Sequence, residues 1–131
     1  NIGTAFGDHN LIDKISWPYK VVNKDDIFVD DISSKFYNSF QKKSYNQIDW
    51  DSFEEMSRED GLYAKAIVIK HNMNPVVSKK GSAIFFHIWR NHKSHTRGCT
   101  AMSKTNIKHL ISWLDKYKNP LLVQLPSNIS I

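Results

Sequence analysis

The chain has 131 residues, 40% of them hydrophobic and 12% aromatic, which is enough for one domain with a real core. No run approaches the ~20 apolar residues of a membrane helix, so stable membrane insertion by a helix is excluded, and a single cysteine excludes an internal disulfide. The net charge of +5 hides an asymmetry: residues 1–60 hold 7 basic and 12 acidic residues, whereas residues 61–131 hold 11 basic residues and one acid, Asp115.

Residues 2–17 form a short mixed stretch broken by Gly3, Gly7 and Asp13. Trp17-Pro18-Tyr19 reads as a turn or an edge position, because proline cannot donate to a ladder, and residues 20–22 as a brief strand. Residues 23–31 carry Asp25-Asp26 and Asp30-Asp31 around Ile27-Phe28-Val29. These acids lack the alternating ligands and the glycine of a calcium loop, so they read as a structural acidic loop. Its carboxylates are expected to bond backbone or the basic half. In residues 33–45, Tyr37 and Phe40 stand at i, i+3, on one face of a helical turn, as core packing. Residues 50–58 read as a short helix, capped by Asp49 or Asp51, with Glu54 and Glu55 near its positive end. Gly61 would end it in the left-handed region.

Residues 62–71 are strand-like, and residues 72–80 form a loop with Asn74-Pro75, closed by Gly81. Residues 82–89 are an Ile- and Phe-rich run that reads as a buried strand carrying His87. The two strands are expected to pair as an antiparallel hairpin or to lie as neighbours in one sheet. A loop of His, Lys, Asn and Ser then leads into Thr96-Arg97-Gly98-Cys99-Thr100. Ser103 is a helix N-cap, and Ile107, Leu110, Ile111 and Leu114 make an amphipathic stripe at the 3.6 period. Lys116 and Lys118 lie near the helix end and Asn119-Pro120 stops it. Leu121, Val123 and Leu125 alternate as a final strand before a tail over 126–131. The fold class is mainly β with short helices, an α+β domain.

The chemistry concentrates in residues 81–102, which hold the one cysteine and three of the six histidines. Cys99 follows a glycine, which permits an unusual turn and close approach of the backbone. His87 stands 12 residues earlier, so the two can meet across a loop as thiol nucleophile and base. From residue 61 to 114 there is no Asp or Glu, and this electropositive setting, with His87, Arg97 and the helix near Ser103, should favour the thiolate. Backbone N–H groups of Gly98, Cys99 and Thr100 are candidates for an oxyanion hole. A rival is zinc on His92, His95 and Cys99 with His87 as a fourth ligand, although the spacing is unusual and Arg90 and Lys93 oppose a cation. A third is a binder of nucleic acid or another anionic polymer through the basic half and Trp89, but no nucleic-acid motif is present. His71 and His109 read as a strand end and a helix surface.

Gly81-Ser82-Ala83-Ile84-Phe85-Phe86-His87 and Thr96-Arg97-Gly98-Cys99-Thr100-Ala101 resemble the signature of the L,D-transpeptidase catalytic domain family (YkuD-like, also ErfK/YbiS/YcfS/YnhG). Phe28-Val29-Asp30-Asp31 with Tyr37-Asn38, and residues 55–63, match further segments in order. The resemblance implies a single β-sandwich-like transpeptidase domain over 1–131, with Cys99 as nucleophile and His87 as its base, the ring oriented by a backbone carbonyl. It implies acyl transfer on peptidoglycan stem peptides: a thioester forms on Cys99 as D-alanine leaves, and an amine or water resolves it. Arg97, with Thr96 and Ser82, is then expected to bind substrate, and Thr96 also to support the turn. Arg97 stands where the family often has histidine, and a permanently charged group cannot shuttle protons there. The resemblance implies no cofactor or metal and a place outside the cytoplasm of a bacterium. The start at Asn1 reads as a processing site or a truncation, with first strands of the family domain upstream.

Overall fold

Eight strands and one helix make up the described residues, 1–10 and 15–129, of the computed structural model. In chain order they are β1 (Ile2–Gly7), β2 (Tyr19–Val21), β3 (Asp26–Val29), β4 (Ser39–Lys42), β5 (Phe53–Glu55), β6 (Lys65–Ile69), β7 (Phe85–Ile88), β8 (Thr100–Met102) and α1 (Lys104–Trp113). Five strands form one sheet in the order β2-β1-β6-β7-β8, and three form a second in the order β4-β3-β5. The inner pairs β1–β6 and β6–β7 are antiparallel, while the two edges, β2 and β8, run parallel to their neighbours.

Side chains that alternate along each strand sort the apolar residues into layers. Phe6, Phe28, Met56, Tyr63 and Phe85 fill the space between the two sheets. The next residues along, Ala5, Ile67 and Phe86, face the opposite way and pack under Ile107, Ile111 and Leu114 of the α1 region. Behind β3, Ile27 and Val29 pack on Trp50. The Ser103 hydroxyl accepts from the Asn106 N–H and caps α1 as its sequence predicts. Ile107 and Ile111 are wholly buried, each contributing about 1.5–3 kcal/mol by leaving water.

The mainly β, α+β class holds, and so do β6, β7, their antiparallel pairing and α1. Several local expectations do not. Residues 2–7, read as a broken stretch, are a full strand in the large sheet. The acidic loop around Ile27 is the buried strand β3. Its acids do bond structurally: Asp26 takes Lys42 Nζ at 2.9 Å and the Asn23 N–H at 2.9 Å. The Lys42 partner, however, comes from the acidic half. Residues 39–42 are strand β4 rather than helix, and the helix expected over 50–58 is replaced by β5. There the ladder to β3 outweighs local helix preference, and Asp49 binds the Ser34 hydroxyl instead of capping. Residues 121–125 form no strand: Leu121 and Val123 are exposed, and Leu122 alone of this run packs against the helix layer. Asp13 and the last two residues of the tail lie outside the described residues.

Gly7 ends β1 where the chain passes closest to its neighbours. Its φ is +156°, and a Cβ there would sit 2.1 Å from the Ala64 carbonyl oxygen and 2.6 Å from the Tyr19 hydroxyl. The next residue, Asp8, pairs with the buried Lys65. Its carboxyl, although burial opposes its charge, titrates below the usual range because of Lys65. Gly7→Ala is therefore expected to destabilise the domain by at least about 2 kcal/mol, read as a lower urea midpoint with the same slope; an unchanged midpoint would contradict this packing.

Candidate active site

β7 supplies the histidine. Phe85 and His87 share one face of the strand, the face between the sheets, while Phe86 points to α1. His87 is 7% exposed, and its Nδ1 lies 2.8 Å from the Ile88 carbonyl oxygen. A carbonyl can only accept, so Nδ1 carries a proton, and in the neutral ring the lone pair is then on Nε2. The Tyr63 ring meets the imidazole edge-on at 5.3 Å. Arg58 lies over Tyr63, 5.1 Å from the ring centroid, and the Tyr63 hydroxyl donates to Glu54 at 3.4 Å. Burial, then Glu54, push the Tyr63 phenol well up, so it stays a neutral donor.

Cys99 stands just before β8, which runs parallel to β7 with Phe86 opposite Thr100. Gly98 takes φ +121°, and a Cβ there would press the Ile84 side chain at 3.2 Å. The Thr96 hydroxyl donates to the Cys99 carbonyl and closes the turn. The sulfur accepts from the Phe85 N–H at 3.4 Å, and the thiol donates to the Ala83 carbonyl at 3.5 Å. Cys99 is thus registered to Phe85, two residues from His87 on the same face, about 6.6 Å along the strand.

Both groups line one cleft of about 570 Å³. The predicted Ser82, Thr96 and Arg97 line it too. Of the three oxyanion candidates, Gly98 and Cys99 have N–H groups with no protein partner among the described residues. Met102 accepts from the Trp89 N–H, so Thr100, two residues earlier, also turns its backbone to β7. His95 lines the cleft and His92 does not, and among the described residues no three His, Cys, Asp or Glu side chains converge to hold a metal ion.

The opposite wall was not legible as a site. Asp30, at the end of β3, and Glu54, opposite Phe28 on β5, reach the cleft from the small sheet. Asp30 Oδ1 is buried without a hydrogen-bond partner among the described residues. Arg90 reaches Asp60 at 3.2 Å, and the Arg58 hydrogen bond holds the Asp60 carboxyl at about 2, so this loop is pinned by an ion pair. The period-two pattern that aims Glu54 inward shows only once residues 53–55 are known to be a strand.

The electrostatics differ from the expectation of a favoured thiolate. Burial pushes the Cys99 thiol up; the Phe85 N–H works against this, and Glu54 raises it further. α1 packs on the other face of the sheet, so its positive end does not serve the sulfur. At rest the site holds a neutral thiol.

The chain matches the YkuD L,D-transpeptidase catalytic domain over residues 3–123 and belongs to that family. No curated protein and no solved structure matches it. The family consists of transpeptidases that act on peptidoglycan stem peptides, and no helix among the described residues is long and apolar enough to cross a membrane.

Alkylation of Cys99 by iodoacetamide, followed by intact mass across pH, should have a midpoint above that of the same cysteine in urea-unfolded chain. Glu54→Gln removes a charge that opposes the thiolate, so the midpoint should move down; a midpoint that stays or rises would contradict this electrostatic assignment.

Proposed function

We propose that the protein is a cysteine acyltransferase of the cell wall, with Cys99 attacking the carbonyl that joins the L-centre of a stem-peptide diamino acid to a terminal D-alanine. His87 Nε2 takes the thiol proton as the C–S bond forms, and returns it to the D-alanine nitrogen as the C–N bond breaks. Cys99 Sγ then holds the acyl group as a thioester. An amine from a second stem attacks that carbonyl, loses its proton to His87, and leaves a new amide and the regenerated thiol. Water in place of the amine would make the protein an L,D-carboxypeptidase.

The observation that carries this reading is the hydrogen bond of His87 Nδ1 to the Ile88 carbonyl in the cleft that also holds Cys99. The Ile88 carbonyl fixes the proton on Nδ1 and leaves Nε2 to serve a thiol that is itself protonated. A raised thiol needs a base at the moment of attack, and His87 is the base in the same cleft. The negative oxygen of the tetrahedral intermediate is assigned to the free N–H groups of Gly98 and Cys99, since Thr100 is turned to β7. Arg97 is exposed at the cleft and suits a substrate carboxylate, whether of the D-alanine or of the diamino acid. Ser82 lines the floor; Thr96 serves mainly through the Cys99 carbonyl. Such a substrate places the protein outside the cytoplasm.

Incubation with a carbapenem, a β-lactam class that acylates enzymes of this kind at the cysteine, should give a covalent adduct on wild type and none on Cys99→Ala. His87→Ala should slow adduct formation by about 10²–10⁴-fold, the usual range for losing a general base. No adduct on folded wild type would sink the acyl-transfer reading.

A further inference from the structure

Asn38 is 2% exposed and does not line the cleft, yet it is tied to the backbone beneath the nucleophile. Its own N–H donates to the Val29 carbonyl at 2.8 Å, which seats it between β3 and β4. Its Nδ2 donates to the carbonyls of His71 at 3.0 Å and Asn72 at 2.7 Å. Its Oδ1 accepts from the Ala83 N–H at 3.1 Å, across 45 residues of sequence. Ala83 has φ +52°, the left-handed region that a residue with a Cβ rarely adopts. The Ala83 carbonyl is the acceptor for the Cys99 thiol, and the Phe85 N–H, two residues on, is the donor to its sulfur. The thiol therefore rests between two backbone groups whose directions depend on a conformation alanine does not choose by itself.

We infer that Asn38 is the positioning residue of the nucleophile: its carboxamide holds the Ala83 peptide left-handed, and so aims the Ala83 carbonyl and the Phe85 N–H at the Cys99 sulfur. The inference takes Cys99 as nucleophile from the proposed function but does not depend on the substrate. A merely structural alternative is that Asn38 braces the 71–72 turn through Nδ2. The two roles use different atoms of one side chain, so they can be separated.

Iodoacetamide alkylation of Cys99 across pH, with thermal unfolding alongside, is measured in wild type, Asn38→Ala and Asn38→Asp. In Asn38→Ala the backbone comes off the sulfur, burial of the thiol is lost, and the alkylation midpoint is expected to fall by about half a pH unit or more. Carbapenem acylation is expected to slow at least about tenfold through misplacement. Asn38→Asp keeps an acceptor for the Ala83 N–H but loses the two donors, so its Tm should fall. Its added carboxylate opposes the thiolate as Glu54 does, so its alkylation midpoint should stay at the wild-type value or rise above it and not fall as that of Asn38→Ala does. A wild-type profile in folded Asn38→Ala would overturn the inference, and so would equal shifts in both variants, which would mark a loop brace. Should Asn38→Ala not fold, the same variant carrying Ala83→Gly replaces it, because glycine takes this φ without strain. A near-wild-type midpoint is then expected, and a midpoint equal to that of the unfolded chain overturns the inference. Wild type that reacts with iodoacetamide as described but never with carbapenem would sink the proposed function and leave this positioning role standing.

Discussion

A strand sends successive side chains to opposite faces, and β7 is buried on both of its faces. Phe86 must face α1, so Phe85 and His87 must face the second sheet. A shift of one residue would exchange those sets and place an imidazole under the helix. The parallel pairing with β8 then sets the cysteine: with Thr100 opposite Phe86, the residue before it falls beside the Phe85 N–H. The geometry of the site is therefore a register, held by the apolar layers on either side of one four-residue strand.

The same burial that sets the register also sets the chemistry. A thiol packed against the cluster that holds Phe85 and Tyr63 is desolvated, and its proton becomes harder to remove. The basic half of the chain does not reverse this, because folding lays the acidic half over the cleft. Asp30 and Glu54 line it together with Arg58, Arg90 and Arg97, the last two of which are exposed. The cleft therefore carries charges of both signs rather than an unbroken positive surface. The folded chain thus holds Cys99 as a thiol and not as a standing thiolate.

The elements legible in the sequence were those whose signal is local. Residues 66–69 and 84–88 are apolar runs, and Ile107, Leu110, Ile111 and Leu114 repeat at the helical period, so β6, β7 and α1 could be placed, with Cys99 and His87 on their borders. The missing strands have no such signal. β3 begins at an aspartate whose charge is met by lysines from β4 and β2. In β5, Glu54 rather than an apolar residue points inward. Both exist because they complete a ladder with partners distant in sequence, which a window of residues cannot show. Asp30 and Glu54 were hidden for the same reason: a carboxylate in a wrongly assigned helix or loop looks like a solvated one. The charge count misled because it is taken along the chain, whereas the field is summed through space.

The five-stranded sheet divides the interior into two layers that share strands but not side chains. Phe6, Phe85 and Tyr63 lie on the side of the chemistry, and Ile67, Phe86 and Ile111 on the side of the helix. Substitutions that meet no common neighbour tend to add in their effects on stability. Changes that reshape the cleft for a new substrate, at a loss of stability, can therefore be offset by improved packing under α1 without disturbing the reacting groups. The sheet is a partition between a surface free to vary in specificity and a reservoir of stability, and a lineage can draw on the second while it explores the first.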